Sequence, residues 1–313
     1  MDSRNISLDL LKVVLAICIV FLHCGFFIEY NELIHFLTVH GIFRIAVPIF
    51  FIINGYFFDA IIKTKKINKW SIKVLILYTV WMIIYLPSWF SPDIKTIFVK
   101  LITGYHHLWY IKAMLFCGIL LYILRNLKTK ILLALVSVLF SIGILFQYLG
   151  NYHVFESSSL DAILNLKYTY RNFLFLGFPF FVIGYCCKKD DWKEKIQKQY
   201  LIILFPIALT LLLLESYFNY VYTREVIENL FFLILVCPLV FIYFLKSEIK
   251  FKTNTKNIAL VSTSIYLIHP WIMEILTNLF EVRDTQLGFL TVVVALSVSL
   301  PLIKLNKILK FLL

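Results

Sequence analysis

Three basic residues of this 313-residue chain, Lys12, Arg44 and Lys112, sit inside long apolar runs. An ionisable group at the centre of a bilayer costs about 2.5–3.5 kcal/mol on insertion scales. Each is therefore expected to face a protein interior, pair with an acid, or snorkel from a helix end. Lys12 shares its run with Asp9 and His23. Asp9 and Lys12 are i,i+3 neighbours able to pair. Lys12 and His23 fall on one helical face, about 16 Å apart along the axis. Mutual neutralisation near a membrane surface would account for Asp9 and Lys12 without function; the alignment of a histidine with two charges points to chemistry. Other polar residues are expected at the depth of His23: Arg44 early in the second run, and His106, His107, Trp109 and Lys112 at the opening of the fourth. Arg171 opens the sixth run, Glu215 closes the seventh, and His269 lies past the middle of the ninth, with Tyr266 one turn away. Imidazole exchanges protons near neutral pH, and guanidinium groups hold oxyanions. An interfacial aromatic belt would explain Trp109 equally well, and Arg171 and Glu215 taken singly fit as boundary residues. Their convergence from several segments is what suggests a site.

The elements that carry these residues follow from composition. Hydrophobic residues make up 61% of the chain, charged residues only 15%, and mean hydropathy is +0.87. A soluble domain is nearer 45–50% apolar and about 25% charged, so a single soluble domain is excluded. At about 20 residues per crossing, the arithmetic allows ten helices with short connections. The apolar runs fall at about 8–28, 42–62, 71–90, 108–124, 131–149, 171–187, 200–216, 229–245, 258–277 and 289–305. Their length favours helices over strands, so the fold class is all-α, a polytopic transmembrane bundle of about ten spans. With no linker or repeat to divide it, 1–313 reads as one membrane-embedded domain. The first run has no small-x-small cleavage pattern, and His23 precedes Cys24 where a lipoprotein signal needs a small residue, so a retained helix is expected.

The net charge of +12 is mostly a topology signal. Alternate loops hold Lys63, Lys65, Lys66 and Lys69; Arg125, Lys128 and Lys130; Lys188, Lys189, Lys193, Lys195 and Lys198; and Lys246, Lys250, Lys252 and Lys256. With Lys304, Lys307, Lys310, Arg4 and Lys73 they place 21 of the 30 basic residues on one side. The positive-inside rule then predicts both termini in the cytoplasm, in a multi-pass cell-membrane protein. No nucleic-acid partner is expected. The six cysteines show no paired spacing, and no histidine pair sits at i,i+4 on one helix, so neither a disulfide framework nor a metal site is expected. A Walker A loop, a G-x-S-x-G elbow, an H-E-x-x-H helix, a dinucleotide fingerprint and a His-x4-Asp acyltransferase pattern are all lacking.

The run Ser7-Leu8-Asp9-Leu10-Leu11-Lys12, followed after ten residues by His23, resembles the signature of the acyltransferase-3 family of integral membrane proteins. Lys12 stands where arginine is commoner, which keeps the charge and loses the bidentate fork. The segment from Phe43 and Arg44 through Pro48 and Asn54 to Gly55-Tyr56 resembles the family's second helix, with Asn54 in place of a more usual serine. His107-Leu108-Trp109-Tyr110-Ile111 and Ser264-Ile265-Tyr266-Leu267-Ile268-His269-Pro270 are similar to two later family blocks. Arg171-Asn172, Gly177-Phe178-Pro179-Phe180-Phe181 and Leu214-Glu215-Ser216 look like the membrane domain of vancomycin-resistance serine racemases, which is associated with serine transport. No racemase domain follows, so racemase activity is not expected.

The resemblance implies an O-acyltransferase that moves an acyl group, commonly acetyl from cytoplasmic acetyl-CoA, to a hydroxyl of a cell-envelope glycan or lipid-linked sugar. No permanently bound cofactor is implied. His23 would be the general base or a transient acyl carrier, and Arg44 would stabilise the oxyanion or orient the acceptor. Asp9 and Lys12 would shape the path of the donor, acetyl-CoA. His107, Trp109, Lys112, Arg171, Glu215, Tyr266 and His269 would line the acceptor site. The same cavity would also suit a carrier of serine, another small solute or a glycan.

Overall fold

A computed structural model describes residues 5–247 and 256–313, and its described residues are helices joined by short turns. Arg4, Lys250 and Lys252, which contribute to the predicted basic side, lie outside them. In chain order the helices are α1 (Ile6–His23), α2 (Glu32–Val39), α3 (Ala46–Lys63), α4 (Ile67–Ile84), α5 (Leu86–Trp89), α6 (Ile94–Thr103), α7 (Trp109–Leu124) and α8 (Thr129–Asn151). There follow α9 (Ser159–Leu164), α10 (Lys167–Tyr170), α11 (Phe178–Lys189), α12 (Trp192–Lys195), α13 (Lys198–Tyr222), α14 (Leu233–Lys246), α15 (Lys256–Phe280) and α16 (Asp284–Leu309). Single 3₁₀ turns lead into α3 (Ile42–Ile45) and α7 (His106–Leu108), and a π turn (Phe173–Gly177) leads into α11.

All ten predicted runs coincide with helices, and among the described residues eight segments are long and apolar enough to cross a membrane. Two runs fall short. The eighth becomes the shorter apolar helix α14, and the sixth becomes the π turn plus the 12-residue α11. For the sixth run the reason is visible in the packing. Every residue of α11 from Phe178 to Cys187 is buried, so protein rather than lipid surrounds it and bilayer thickness does not set its length. By contrast α13, Lys198–Tyr222, exposes Ile202, Ile203, Ile207, Leu214 and Phe218 outward, as a lipid-facing helix should.

α11 packs backbone to backbone against α3. A Cβ placed on Gly55 would meet the Phe181 carbonyl oxygen at 1.8 Å, and one on Gly184 would meet that of Ile52 at 1.9 Å. The two glycines are reciprocal, each opening the surface that the other helix occupies. Small residues at such seams are how helices approach closely where apolar burial alone gives no preference for protein over lipid.

Two apolar cores result. One joins α3, α8, α11, α13 and α14; the other joins α4, α15 and α16; α1 and α7 contribute to both. Tyr110 and Tyr266 pack against each core. The seam between the cores therefore runs past these two tyrosines, and the polar residues gather along it.

Candidate functional site

A cleft along this seam encloses about 530 Å³ of empty space, open solvent included. Its walls carry His23, Arg44, His107, Trp109, Arg171, Tyr266 and Glu228 among apolar neighbours such as Ile19, Val47 and Leu176. Six of the residues predicted from sequence thus come together, from α1, α7, α15, the turns ahead of α3 and α7, and the end of α10.

One wall is a histidine cluster. The His23 ring stacks on that of His269, with centroids 5.4 Å apart and planes at 20°, and lies 4.6 Å from that of His106. The His107 ring is 5.2 Å from His269 and 5.1 Å from Tyr266. The 3₁₀ turn that holds His106 and His107 is pinned to α15, because the Tyr266 hydroxyl donates to the His107 carbonyl. His106 itself adopts φ +42°, in the left-handed region that side chains seldom enter, within the turn that presents its ring to His23.

Local backbone chemistry sets the tautomer of His269. Pro270 has no N–H and so leaves the Tyr266 carbonyl without its usual i+4 donor. The Nδ1 of His269 lies 2.8 Å from that carbonyl and 3.2 Å from the Ile265 carbonyl. Carbonyl oxygens only accept, so Nδ1 carries the proton. Nε2 is then the basic nitrogen, buried and without a hydrogen-bond partner among the described residues.

The opposite wall is ionic. Arg44, 7% exposed, donates from Nη1 to Glu228, and Arg171 Nη1 reaches the other oxygen of the same carboxylate at 3.2 Å. Arg44 Nη2 lies 2.9 Å from His40 Nδ1. A guanidinium can only donate, so Nδ1 of His40 accepts. The Arg171 guanidinium also lies over the Trp109 ring, 5.3 Å from its centroid. This gives Trp109 a role at the cleft beyond that of a membrane-interface aromatic.

Glu228 is a charged residue of the cleft wall that sequence reading missed. It stands directly before the eighth apolar run and reads there as an ordinary boundary acid. The usable signal was charge balance, since two arginines aimed at one apolar region need a counter-ion. Its segment is held from below by Gln147, which is fully buried. The Gln147 Oε1 accepts from the backbone N–H of Glu228 (2.9 Å) and of Asn229 (3.0 Å), and its Nε2 donates to the Asn229 carbonyl at 3.0 Å.

Five predicted site residues lie outside the cleft wall: His269, buried behind His23, and the four that follow. Glu215 sits well inside α13, where its carboxylate accepts from Phe231 N (2.6 Å), Phe232 N (3.0 Å) and the Tyr148 hydroxyl (2.9 Å). It thus caps the start of α14 and anchors the segment that bears Glu228. Lys112 shares its helical face with Phe116, Ile119 and Ile123, which are 42%, 38% and 65% exposed, so it lies on the lipid-facing side of α7. Asp9 and Lys12 form the expected pair, 3.1 Å from Nζ to Oδ1, but near the start of α1, at the far end of the helix from His23. Among the described residues no group of three or more histidine, cysteine, aspartate or glutamate side chains is placed to hold a metal ion.

The comparisons with known proteins fit this arrangement. The acyltransferase-3 family profile, described as an acyltransferase domain, matches residues 5–304. The chain is 24% identical to an amino-acid racemase of Enterococcus faecalis, over 94% of its own length and 45% of that protein's. It is 25% identical to a serine/alanine racemase of Enterococcus gallinarum, over 86% of its own length and 41% of the relative's. The chain thus spans less than half the length of these curated relatives. No solved structure matches it. With the match covering nearly all of the bundle and every wall of the cleft, the chain belongs to the acyltransferase-3 family.

Proposed function

We propose that this protein is a membrane O-acyltransferase that moves an acyl group, acetyl from cytoplasmic acetyl-CoA, to a hydroxyl of a cell-envelope sugar or polysaccharide in the outer half of the bilayer. The observation that carries the reading is the meeting of the His23 cluster with the Arg44–Glu228–Arg171 wall across one cleft of an acyltransferase-3 bundle. In this mechanism the acceptor oxygen attacks the thioester carbonyl carbon while His23 takes the hydroxyl proton. The new C–O bond forms, the C–S bond breaks, and CoA leaves as the thiolate, which receives a proton in turn. A general base of this kind contributes about 10²–10⁴-fold. Arg44 faces the developing oxyanion or orients the acceptor, and His107, Trp109 and Tyr266 offer flat faces to a sugar ring. His269 stacks behind His23, and Asp9 with Lys12 shapes the donor path from the cytoplasmic end. The loop charges support cytoplasmic termini.

His23→Ala tests the assignment. Acetyl transfer from labelled acetyl-CoA in inside-out vesicles should vanish while the protein stays inserted and abundant; full activity in that variant would refute the mechanism.

A second reading, a carrier of serine, another small solute or a glycan, rests on the amino-acid racemases among the relatives. Interior charges mark transport paths as readily as catalytic ones. Solute flux without CoA in the same vesicles would favour the carrier, and acetyl appearing on a glycan would favour the enzyme.

A further inference from the structure

Two guanidinium groups converge on one carboxylate in the cleft wall. Arg44 and Arg171 each bind a different oxygen of Glu228, and the triad carries a net charge of +1. The third neighbour, His40, accepts from Arg44 through Nδ1 and so brings no compensating negative charge. The Nε of Arg44 is buried and has no hydrogen-bond partner among the described residues, although the residue is only 7% exposed. A buried net charge and an unused donor in an otherwise apolar wall are both costly unless something supplies an acceptor. Arg171, with 24% of its side chain exposed, is the end of the triad that a ligand reaches first. The Trp109 ring under its guanidinium keeps that group oriented along the cleft.

We infer that the cleft holds an oxyanion subsite: the substrate bound beside His23 carries a carboxylate or phosphate group, which Arg171 and Arg44 bind in competition with Glu228. This rests on the cleft being the substrate site, and it narrows the acceptor class to anionic glycans or other anionic hydroxyl compounds. Neutral sugars of the same size lack the group that the triad selects. Glu228 is then a resident counter-ion. It holds the two arginines together and ordered while the cleft is empty, and it yields part of their hydrogen-bonding capacity when the anion enters.

The test measures binding and transfer separately on the purified full chain. Glucuronate, glucose 1-phosphate and neutral glucose are titrated at fixed sodium chloride, and binding is read as a shift in thermal unfolding. Acetyl transfer from labelled acetyl-CoA to the same three compounds is followed in parallel. At least one anionic sugar should bind about 10-fold or more tighter than glucose, the worth of one charge-assisted hydrogen bond. Which of the two wins tells a carboxylate from a phosphate. Arg171→Gln, at the more exposed end of the triad, should remove that preference. Glu228→Gln should tighten anion binding, because a competing negative charge is gone; a carboxylate with a merely structural role would weaken binding when neutralised. Equal binding of glucose and both anions, or an unchanged preference in Arg171→Gln, overturns the subsite, and acetyl transfer persisting in that case leaves the acyltransferase reading standing. A clear anion preference, lost in Arg171→Gln, supports the subsite whether or not these small compounds accept acetyl; the acyltransferase reading falls separately, if no acetyl reaches a glycan in the vesicle assay.

Discussion

Replacing Gly184 by alanine would place a methyl carbon 1.9 Å from the Ile52 carbonyl oxygen, where ordinary contact begins at 3.4 Å. The obstructing atom is backbone, so no side-chain rotation relieves the clash, and α3 and α11 must part by about 1.5 Å. Alanine favours a helix over glycine by about 1 kcal/mol. Overpacking costs about 1–3 kcal/mol, towards the upper end where backbone must move, so a net loss of about 2 kcal/mol is expected. In a chain of this size that corresponds to a fall of about 3–6 °C in apparent melting temperature. The displacement also reaches the site. Arg44 lies two residues ahead of α3, and Arg171 lies just before the π turn that leads into α11. Parting the helices therefore draws the two guanidiniums off their shared carboxylate. Ångström-scale misplacement can cost about 100-fold in rate, so acetyl transfer should fall at least about tenfold. Gly55→Ala presses on the same seam from the other helix, at 1.8 Å from the Phe181 carbonyl. Once one methyl has separated the helices, the second meets a gap already opened, so the double variant should cost clearly less than the two single variants combined. Fluorescence-detected unfolding in detergent, with transfer assayed in vesicles, measures both effects. A melting temperature within about 1 °C of the parent, or strict additivity of the two substitutions, would refute the close-packed seam.

Glu215→Gln separates an anchoring role from substrate binding. Losing a charged acceptor shared by two backbone N–H groups should lower stability by about 1–3 kcal/mol, while KM for the acceptor stays put; a raised KM at unchanged stability would restore Glu215 to the acceptor site. On the connection after α8, hydrogen bonding and charge from Asp161, 2.9 Å away, raise the pKa of exposed His153 above its ordinary 6.5. The pair's contribution is complete below 6.5 and is lost as pH rises through the higher folded-state value. A histidine NMR titration should show that elevation and its disappearance in Asp161→Asn; an unshifted His153 in the parent would contradict the pairing.

Much of the architecture was legible in the chain itself. Bilayer thickness imposes a length on every lipid-facing helix, so each of the ten apolar runs fell on a helix, while the short helices between them, such as α2, α6 and α9, carried no such signal. Burial inside protein removes that constraint, which is why the run at 171–187 gave no warning of a π turn with a 12-residue helix; the run at 229–245 likewise gave none of the short, half-buried α14. Residue type and helical period also put His23, Arg44, His107, Trp109, Arg171 and Tyr266 on a short list that the cleft gathers, with His269 stacked behind it, because ionisable groups are costly to scatter through lipid. Which way each group faces was a different matter. Lys112 is as conspicuous in sequence as Arg44, yet it follows the lipid-facing stripe of α7, and Glu215 is spent on capping α14. Glu228 was invisible until two helix starts and a connecting segment were placed side by side. Hydrophobic period and charge are local properties of the chain, and they determined the spans and the candidate residues. The sharing of one carboxylate by two arginines, and the stacking of His23 on His269, depend on which helices touch. That was settled by packing, above all by the glycines that let α3 and α11 meet backbone to backbone.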